Sequence, residues 1–135
     1  MEDFGELLGV LTIFFFILTI MNYLVKLVNR KYSRIIAQHP RIKPLWVILM
    51  RVLVRYHKYF GFATLIALLL HFAIQLNFRW VSISGLMAAS VLFTQFMLGM
   101  YGAYISKKRK GLWFIGHRVV SILLVITILV HVAQS

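Results

Sequence analysis

The sequence predicts an all-α fold, an integral membrane four-helix bundle with up-down-up-down topology. The chain is 61% hydrophobic and only 13% charged, whereas a typical soluble domain has about 25% charged residues. Its mean hydropathy is +0.88. It also contains four apolar runs of about 20 residues or more, the length that an α-helix needs to cross a bilayer. We therefore interpret residues 1–135 as a single transmembrane domain.

The predicted spans take up most of the chain. They lie at residues 7–28, 56–76, 83–105 and 112–133. No segment outside them is long enough to form a separate nucleotide-binding, flavin-binding or protease domain. Any such activity is therefore expected to come from a partner.

The charged residues predict the topology of the spans. The chain has 15 Lys and Arg, 3 Asp and Glu and a net charge of +12. All basic residues except Arg79 flank the first or the third connection, and the acids precede the first span. The positive-inside rule then puts both termini outside and both basic loops in the cytoplasm, in a bacterial-type plasma membrane. We expect contact with anionic lipid headgroups and no nucleic acid, because no motif of a nucleic-acid-binding domain is present.

The first connection, residues 29–55, is longer than a helical hairpin needs. Pro40 and Pro44 place its turn near residues 38–44. Apolar residues recur at helical spacing after the turn, namely Trp46, Leu49, Met50, Leu53 and Val54. The pattern indicates that the first two helices project beyond the bilayer as a basic extension.

Four histidines recur at one spacing in the second and fourth spans. His57 and His71 are fourteen residues apart, as are His117 and His131. In a left-handed bundle fourteen residues make four turns, so both members of a pair face the same way, roughly 21 Å apart along the axis. The two spans run in the same direction. We therefore expect His57 at the depth of His117, and His71 at the depth of His131.

Facing histidines in the core of a bundle are suited to bind a cofactor. A haem placed between helices two and four at each level would take one imidazole from each helix. The chain has no cysteine, which excludes covalent attachment through Cys-x-x-Cys-His. We expect two non-covalent haem b groups with bis-histidine ligation, an arrangement that favours one-electron transfer. The predicted function is electron transfer across the membrane.

Other uses of these histidines remain open. Each could form a hydrogen bond between helices, which would make the chain a haem-free scaffold subunit. A third possibility is a quinone-linked oxidoreductase with quinone near one haem. Zinc would need further ligands, and proton relays usually include intramembrane Asp or Glu. His39, beside Pro40 in the basic connection, is interpreted as a solvated loop residue.

Several glycines offer room for a porphyrin. Gly85 and Gly99 in the third span are also fourteen residues apart, and Gly61 lies one turn after His57. Close packing between helices explains these glycines equally well. In the first span the residues at the depths of the two histidine pairs differ. Gly5 and Gly9 lie at the outer depth, whereas Thr19 or Tyr23 lies at the inner depth.

Cationic side chains near the interfaces are candidates to bind haem propionates. At the inner level Arg55, Lys58 and Arg118 lie within a turn of the histidines. The candidates at the outer level are Arg79, Trp80, Ser82 and Gln134. Snorkelling of long side chains toward the headgroups accounts equally well for the inner cations.

Two segments resemble the haem-binding helices of transmembrane b-type cytochromes. They are "HKYFGFATLIALLLH" and "HRVVSILLVITILVH", and the resemblance is to ferric-reductase-like transmembrane domains and to the four-helix haem core of respiratory cytochrome b. It covers spans two to four. The resemblance implies that the four histidines are axial ligands and that Gly85 and Gly99 admit porphyrin.

The chain also departs from these families. Ferric-reductase-like proteins normally have more helices and a cytoplasmic flavin and nicotinamide module, and the quinol-pocket motifs of the respiratory protein are not found here. We therefore expect the membrane electron-transfer component of an oxidoreductase, either ferric-reductase-like or quinol-linked. A quinone, a flavoprotein or another redox protein would exchange electrons with it. The basic cytoplasmic face is suited to attract an acidic partner.

Overall fold

The computed structural model describes the backbone of residues 2–78, 81–106 and 111–134, and the side chains of residues 4–77, 81–106 and 111–134. Helices account for the regular structure in these ranges, in the order α1 (Glu2–Gln38), α2 (Ile42–Arg55), α3 (His57–Phe78), α4 (Ile83–Met100), a π-helical turn (Tyr101–Ile105) and α5 (Leu112–Gln134). The all-α prediction is confirmed.

Four segments of the described chain are long and apolar enough to cross a membrane, as the sequence predicts. They are Phe4–Gln38, His57–Asn77, Ile83–Ile105 and Leu112–Gln134. The last three agree with the predicted spans to within one or two residues. The first differs, because α1 continues ten residues past the predicted end at residue 28.

The basic connection is mostly helical. Between α1 and α2 only residues 39–41 are non-helical. Pro40 lies in this turn, but Pro44 lies in the first turn of α2, where the backbone N–H that proline lacks has no partner within the helix. Residues 29–55 thus form the end of one helix, a tight turn and a second helix.

The chain divides into two compact units, Glu6–Ala67 and the combination of Met1–Gly5 with Leu68–Ser135. In the unit Glu6–Ala67, α2 packs against α1, and the Trp46 indole donates a hydrogen bond to Asn29 Oδ1 (3.0 Å). Val25 and Leu53 are buried. This unit also buries Thr12 and Thr64, whose hydroxyls donate to carbonyls one turn earlier in the same helix. That bond satisfies the hydroxyl in an apolar environment.

In the other unit, α4 packs along α5. Ser82 caps α4 by accepting a hydrogen bond from the Gly85 N–H (3.1 Å). Leu124 of α5 is 1% exposed. The π-helical turn closes with a hydrogen bond from the Ser106 N–H to the Tyr101 carbonyl (2.9 Å), and within this turn Gly102 lies against the Trp113 ring.

Large apolar side chains remain exposed along the four long helices. Leu112 at the start of α5 is 88% exposed, and Ile83, Ile122 and Leu129 are exposed as well. Extended exposed apolar surface of this kind marks sites of contact with membranes or other proteins. It agrees with the membrane character that the sequence predicts.

Candidate functional site

The four predicted histidines are half-buried, two on α3 and two on α5. On α3 each ring is held by a backbone carbonyl of α1. In the unit Glu6–Ala67, His57 Nδ1 lies 3.1 Å from the Thr19 carbonyl oxygen. In the other unit, His71 Nδ1 lies 2.8 Å from the Gly5 carbonyl oxygen. The acceptors are fourteen residues apart on α1, as the donors are on α3.

These contacts fix the tautomer of both rings. A carbonyl oxygen only accepts, so Nδ1 of His57 and of His71 carries the proton. In a neutral imidazole the lone pair is then on Nε2. Metal-bound histidines commonly show the same arrangement, with the nitrogen that does not bind the metal donating to a backbone carbonyl.

Gly5 lets the backbones of α1 and α3 approach closely beside His71. A Cβ added at this glycine would lie 3.3 Å from Ile74 Cγ2, tighter than an ordinary van der Waals contact. Since Ile74 lies three residues after His71, the small residue keeps the Gly5 carbonyl within hydrogen-bonding distance of the ring.

His131 of α5 is held by the start of α4. Its Nδ1 lies 3.4 Å from the hydroxyl oxygens of both Ser82 and Ser84. A Cβ added at Gly85 would lie only 3.0 Å from His131 Cε1. Gly85 therefore makes space for the imidazole.

His117 belongs to a polar cluster inside the membrane-spanning part of the chain. The Gln95 amide donates to His117 Nε2 (3.2 Å) and to the Ser121 hydroxyl, and that hydroxyl donates to the His117 carbonyl (2.7 Å). A Cβ added at Gly99 would lie 3.3 Å from His117 Cε1. The structure thus places both glycines of α4 against histidine rings of α5.

The structure places one of the predicted histidine pairs within one unit. His71 and His131 both belong to the unit that combines Met1–Gly5 with Leu68–Ser135, and their pairing as ligands stays a prediction. His57 and His117 belong to different units, so their pairing stays a prediction.

The cations predicted to lie near the inner histidines have aromatic neighbours. Lys58 Nζ lies 5.0 Å from the centroid of the Tyr59 ring, and the Arg118 guanidinium lies 4.4 Å from that of Phe114. Arg55 is exposed at the end of α2. Arg79 lies outside the described residues. The roles of these cations toward propionates stay predictions.

The remaining histidine, His39, is exposed, and its Nδ1 lies 2.7 Å from the Ile35 carbonyl oxygen. This bond occupies one of the carbonyls left over at the end of α1. The position agrees with the interpretation of His39 as a residue of the turn.

Three polar residues at the site were not predicted from sequence, namely Gln95, Ser121 and Ser84. A signal for two of them was present, because Ser121 lies one turn after His117 and Gln95 lies one turn before Gly99. Throughout residues 4–77, 81–106 and 111–134, no cluster of three or more His, Cys, Asp or Glu side chains is arranged to hold a metal ion. Bis-histidine ligation would use two side chains at each level.

Comparisons with protein-family models, curated proteins and solved structures found no match to this chain. The resemblance to b-type cytochromes therefore depends on the sequence of the two histidine helices and stays a prediction.

Proposed function

We propose that this protein transfers electrons across a membrane through two b-type haems, each bound by one histidine of α3 and one of α5. His71 and His131 bind the outer haem, and His57 and His117 bind the inner one. In a four-helix bundle with up-down-up-down topology, these helices face each other across the core. The haems supply the one-electron chemistry, and bis-imidazole ligation leaves no open position on the iron for other chemistry.

The observation that carries the proposal is the repeated support of the α3 imidazoles. The Gly5 and Thr19 carbonyls hold Nδ1 of His71 and of His57 with the same fourteen-residue spacing. In this tautomer Nε2 of each ring carries the lone pair that would bind iron. The placement of Gly85 against the His131 ring provides further support at the outer level.

Each histidine helix is buried midway between its two histidines. Thr64 lies seven residues from both histidines of α3 and is 3% exposed, and Leu124 lies seven residues from both histidines of α5 and is 1% exposed. Each helix is therefore packed two helical turns away from its histidines. Near the inner level, a Cβ added at Gly61 would meet no atom within 4 Å, which leaves room beside α3.

One contact competes with haem binding at the inner level. The Gln95 amide donates to His117 Nε2, the nitrogen that would bind iron. Replacing Gln95 with an apolar residue removes its two amide hydrogen bonds to α5, but it also removes Oε1, which is buried and has no hydrogen-bond partner among the described residues.

We expect Gln95→Leu to tighten binding of the inner haem. Breaking one hydrogen bond costs about 1 kcal/mol, so its removal should raise the affinity by roughly fivefold to tenfold. Haem titration of the haem-free protein, followed by absorption, measures this change. Thr94→Val on the same helix is the control, because the Thr94 hydroxyl donates to the Ser90 carbonyl in its own helix and, among the described residues, makes no bond to α5. Weaker binding in Gln95→Leu would mean that Gln95 supports the haem-bound state.

The proposal is tested by a reduced-minus-oxidised absorption spectrum of detergent-purified protein, with haem counted as pyridine haemochrome. We expect low-spin b-type bands and about two haems per chain. Absence of haem after expression with adequate haem supply would reject the proposal.

A haem-free scaffold subunit is the alternative. The hydrogen bonds among Gln95, His117 and Ser121 favour it, because polar side chains of this kind join helices within a membrane. In that case all four histidines are packing residues. The haem count separates the two functions.

As the membrane component of an oxidoreductase, the chain would exchange electrons with a quinone, a flavoprotein or another redox protein. If such a protein oxidises quinol by itself, quinol should reduce its haems without an added partner. The positive-inside rule places the α1 to α2 turn in the cytoplasm and both termini outside. A redox partner that binds the basic residues of α1 and α2 would therefore lie on the cytoplasmic side.

A further inference from the structure

Three exposed cations lie close together in the chain where α2 joins α3, namely Arg51, Arg55 and Lys58. Arg51 and Arg55 are one helical turn apart on α2. Only Tyr56 separates the two helices, and its N–H still bonds to the Val52 carbonyl (3.0 Å). We refer to Arg51, Arg55 and Lys58 as the junction cations.

Two contacts with α1 determine the level of the junction cations. The Trp46 indole bonds to Asn29, and His57 Nδ1 donates to the Thr19 carbonyl. A step of eleven residues along α2 and α3 therefore matches a step of ten residues along α1 in the opposite direction. The junction cations then lie beside residues 18–25 of α1. The candidate membrane span of α3 begins at His57, so this level is also the end of that span.

The other residues at this level are typical of the boundary between hydrocarbon and headgroups. Lys26 is the first charged residue after the apolar run of α1, and the junction cations lie on the bilayer side of it. Tyr23, Tyr56 and Tyr59 are exposed here, and tyrosines concentrate at membrane interfaces. Leu24 is exposed beside them. Lipid covers such an apolar surface more favourably than water does.

No carboxylate in the described part of the chain balances these charges. The one acid whose side chain is described, Glu6, precedes Thr19 by thirteen residues on α1, and thirteen residues of helix rise roughly 20 Å. Lys58 Nζ lies 5.0 Å from the centroid of the Tyr59 ring, but an aromatic face attracts a cation without neutralising its charge. At this level of a membrane the available anion is the phosphate of a lipid.

We propose that the junction of α2 and α3 binds a phospholipid with a net negative headgroup. Its phosphate accepts hydrogen bonds from Arg51 and Arg55, whose guanidinium groups offer paired N–H donors, and Lys58 supplies a third positive charge. The acyl chains lie along the exposed face of α3 that includes Tyr59 and, seven residues later, Ile66. A zwitterionic lipid is disfavoured because its ammonium group is repelled by the same cations. The site does not depend on haem.

The test titrates the detergent-purified full chain with phosphatidylglycerol and counts bound lipid by native mass spectrometry. Phosphatidylcholine with the same acyl chains measures the effect of headgroup charge. Glycerophosphoglycerol, the same headgroup without acyl chains, measures the effect of the chains. We expect the first phosphatidylglycerol to bind about tenfold more tightly than phosphatidylcholine. The soluble headgroup should bind at least about tenfold more weakly than the lipid.

Substitution of the junction cations locates the site. The triple variant combines Arg51→Gln, Arg55→Gln and Lys58→Gln. It should lower the preference for phosphatidylglycerol over phosphatidylcholine from about tenfold to less than about threefold. All three side chains are exposed, so the fold should be unchanged, which circular dichroism checks.

The matched control removes the same charge from the part of α1 beyond Lys26. It replaces two arginines and a lysine, all exposed, by Arg30→Gln, Lys31→Gln and Arg34→Gln. Its lysine is also paired with a ring, since Lys31 Nζ lies 5.3 Å from the centroid of Tyr32. The control should keep a preference for phosphatidylglycerol of about fivefold or more, because only long-range attraction is lost.

Equal loss of the preference in the two triple variants would overturn the proposal, since net charge alone would then explain lipid selectivity. Equal affinities of the unsubstituted chain for the two lipids would also overturn it. Binding of glycerophosphoglycerol as tight as that of the lipid would make this a site for soluble anions. Loss of haem from the junction variant alone would assign the cations to haem propionates instead.

Discussion

Replacement of His71 by alanine should remove one haem and leave the other, lowering the haem count from about two to about one per chain. His71 is the histidine whose Nδ1 lies 2.8 Å from the Gly5 carbonyl oxygen. Since His57 lies fourteen residues before His71 on α3, about four helical turns away, the inner haem should keep its ligands. Pyridine haemochrome and a redox titration of the purified variant measure the result.

The matched control is His39→Ala. This histidine is exposed in the α1 to α2 turn and bonds to the Ile35 carbonyl, so both haems should remain. His131→Ala should reproduce the His71→Ala spectrum, because both residues would bind the same iron. Loss of both haems from a variant that stays monodisperse would contradict separate levels. Retention of both haems would exclude His71 as a ligand.

The substitution Gly102→Ala should lower the free energy of unfolding by about 1–3 kcal/mol, the usual cost of overpacking. The Trp113 ring occupies the position that a Cβ at Gly102 would take. The aromatic ring or the π-helical turn would have to move, which outweighs the gain of about 1 kcal/mol in helix propensity. Thermal unfolding in detergent, followed by circular dichroism, measures the change.

Gly61→Ala is the matched control for this substitution. A Cβ at Gly61 would meet no atom within 4 Å, so the change should be neutral or stabilising by up to about 1 kcal/mol. A similar loss of thermal stability in both variants would mean that the effect comes from replacing a flexible glycine and not from the contact with Trp113.

The sequence was sufficient to predict the membrane helices because their signal is local. Runs of apolar residues report the lipid environment directly, and three of the four spans agree closely with the structure. The spacing of Trp46, Leu49, Met50 and Leu53 likewise predicted that helix resumes after the turn at Pro40. Pro44 was assigned to the turn, but proline is also tolerated in the first turn of a helix.

Which atoms support each histidine depended on contacts between helices. Every residue has a backbone carbonyl, so residue type does not show which carbonyl accepts a hydrogen bond from a histidine. Neither Thr19 nor Gly5 could therefore be identified as the acceptor from sequence. Gln95 bonds to His117 across 22 residues of chain, a separation that helical periodicity does not determine. The fourteen-residue spacing by itself determined that each of two helices carries two imidazoles about four turns apart, and it predicts that the four lie at two depths. Only tertiary packing decided the tautomer of the α3 rings and the placement of Gly85 and Gly99 against histidine rings, because each depends on how neighbouring helices are aligned.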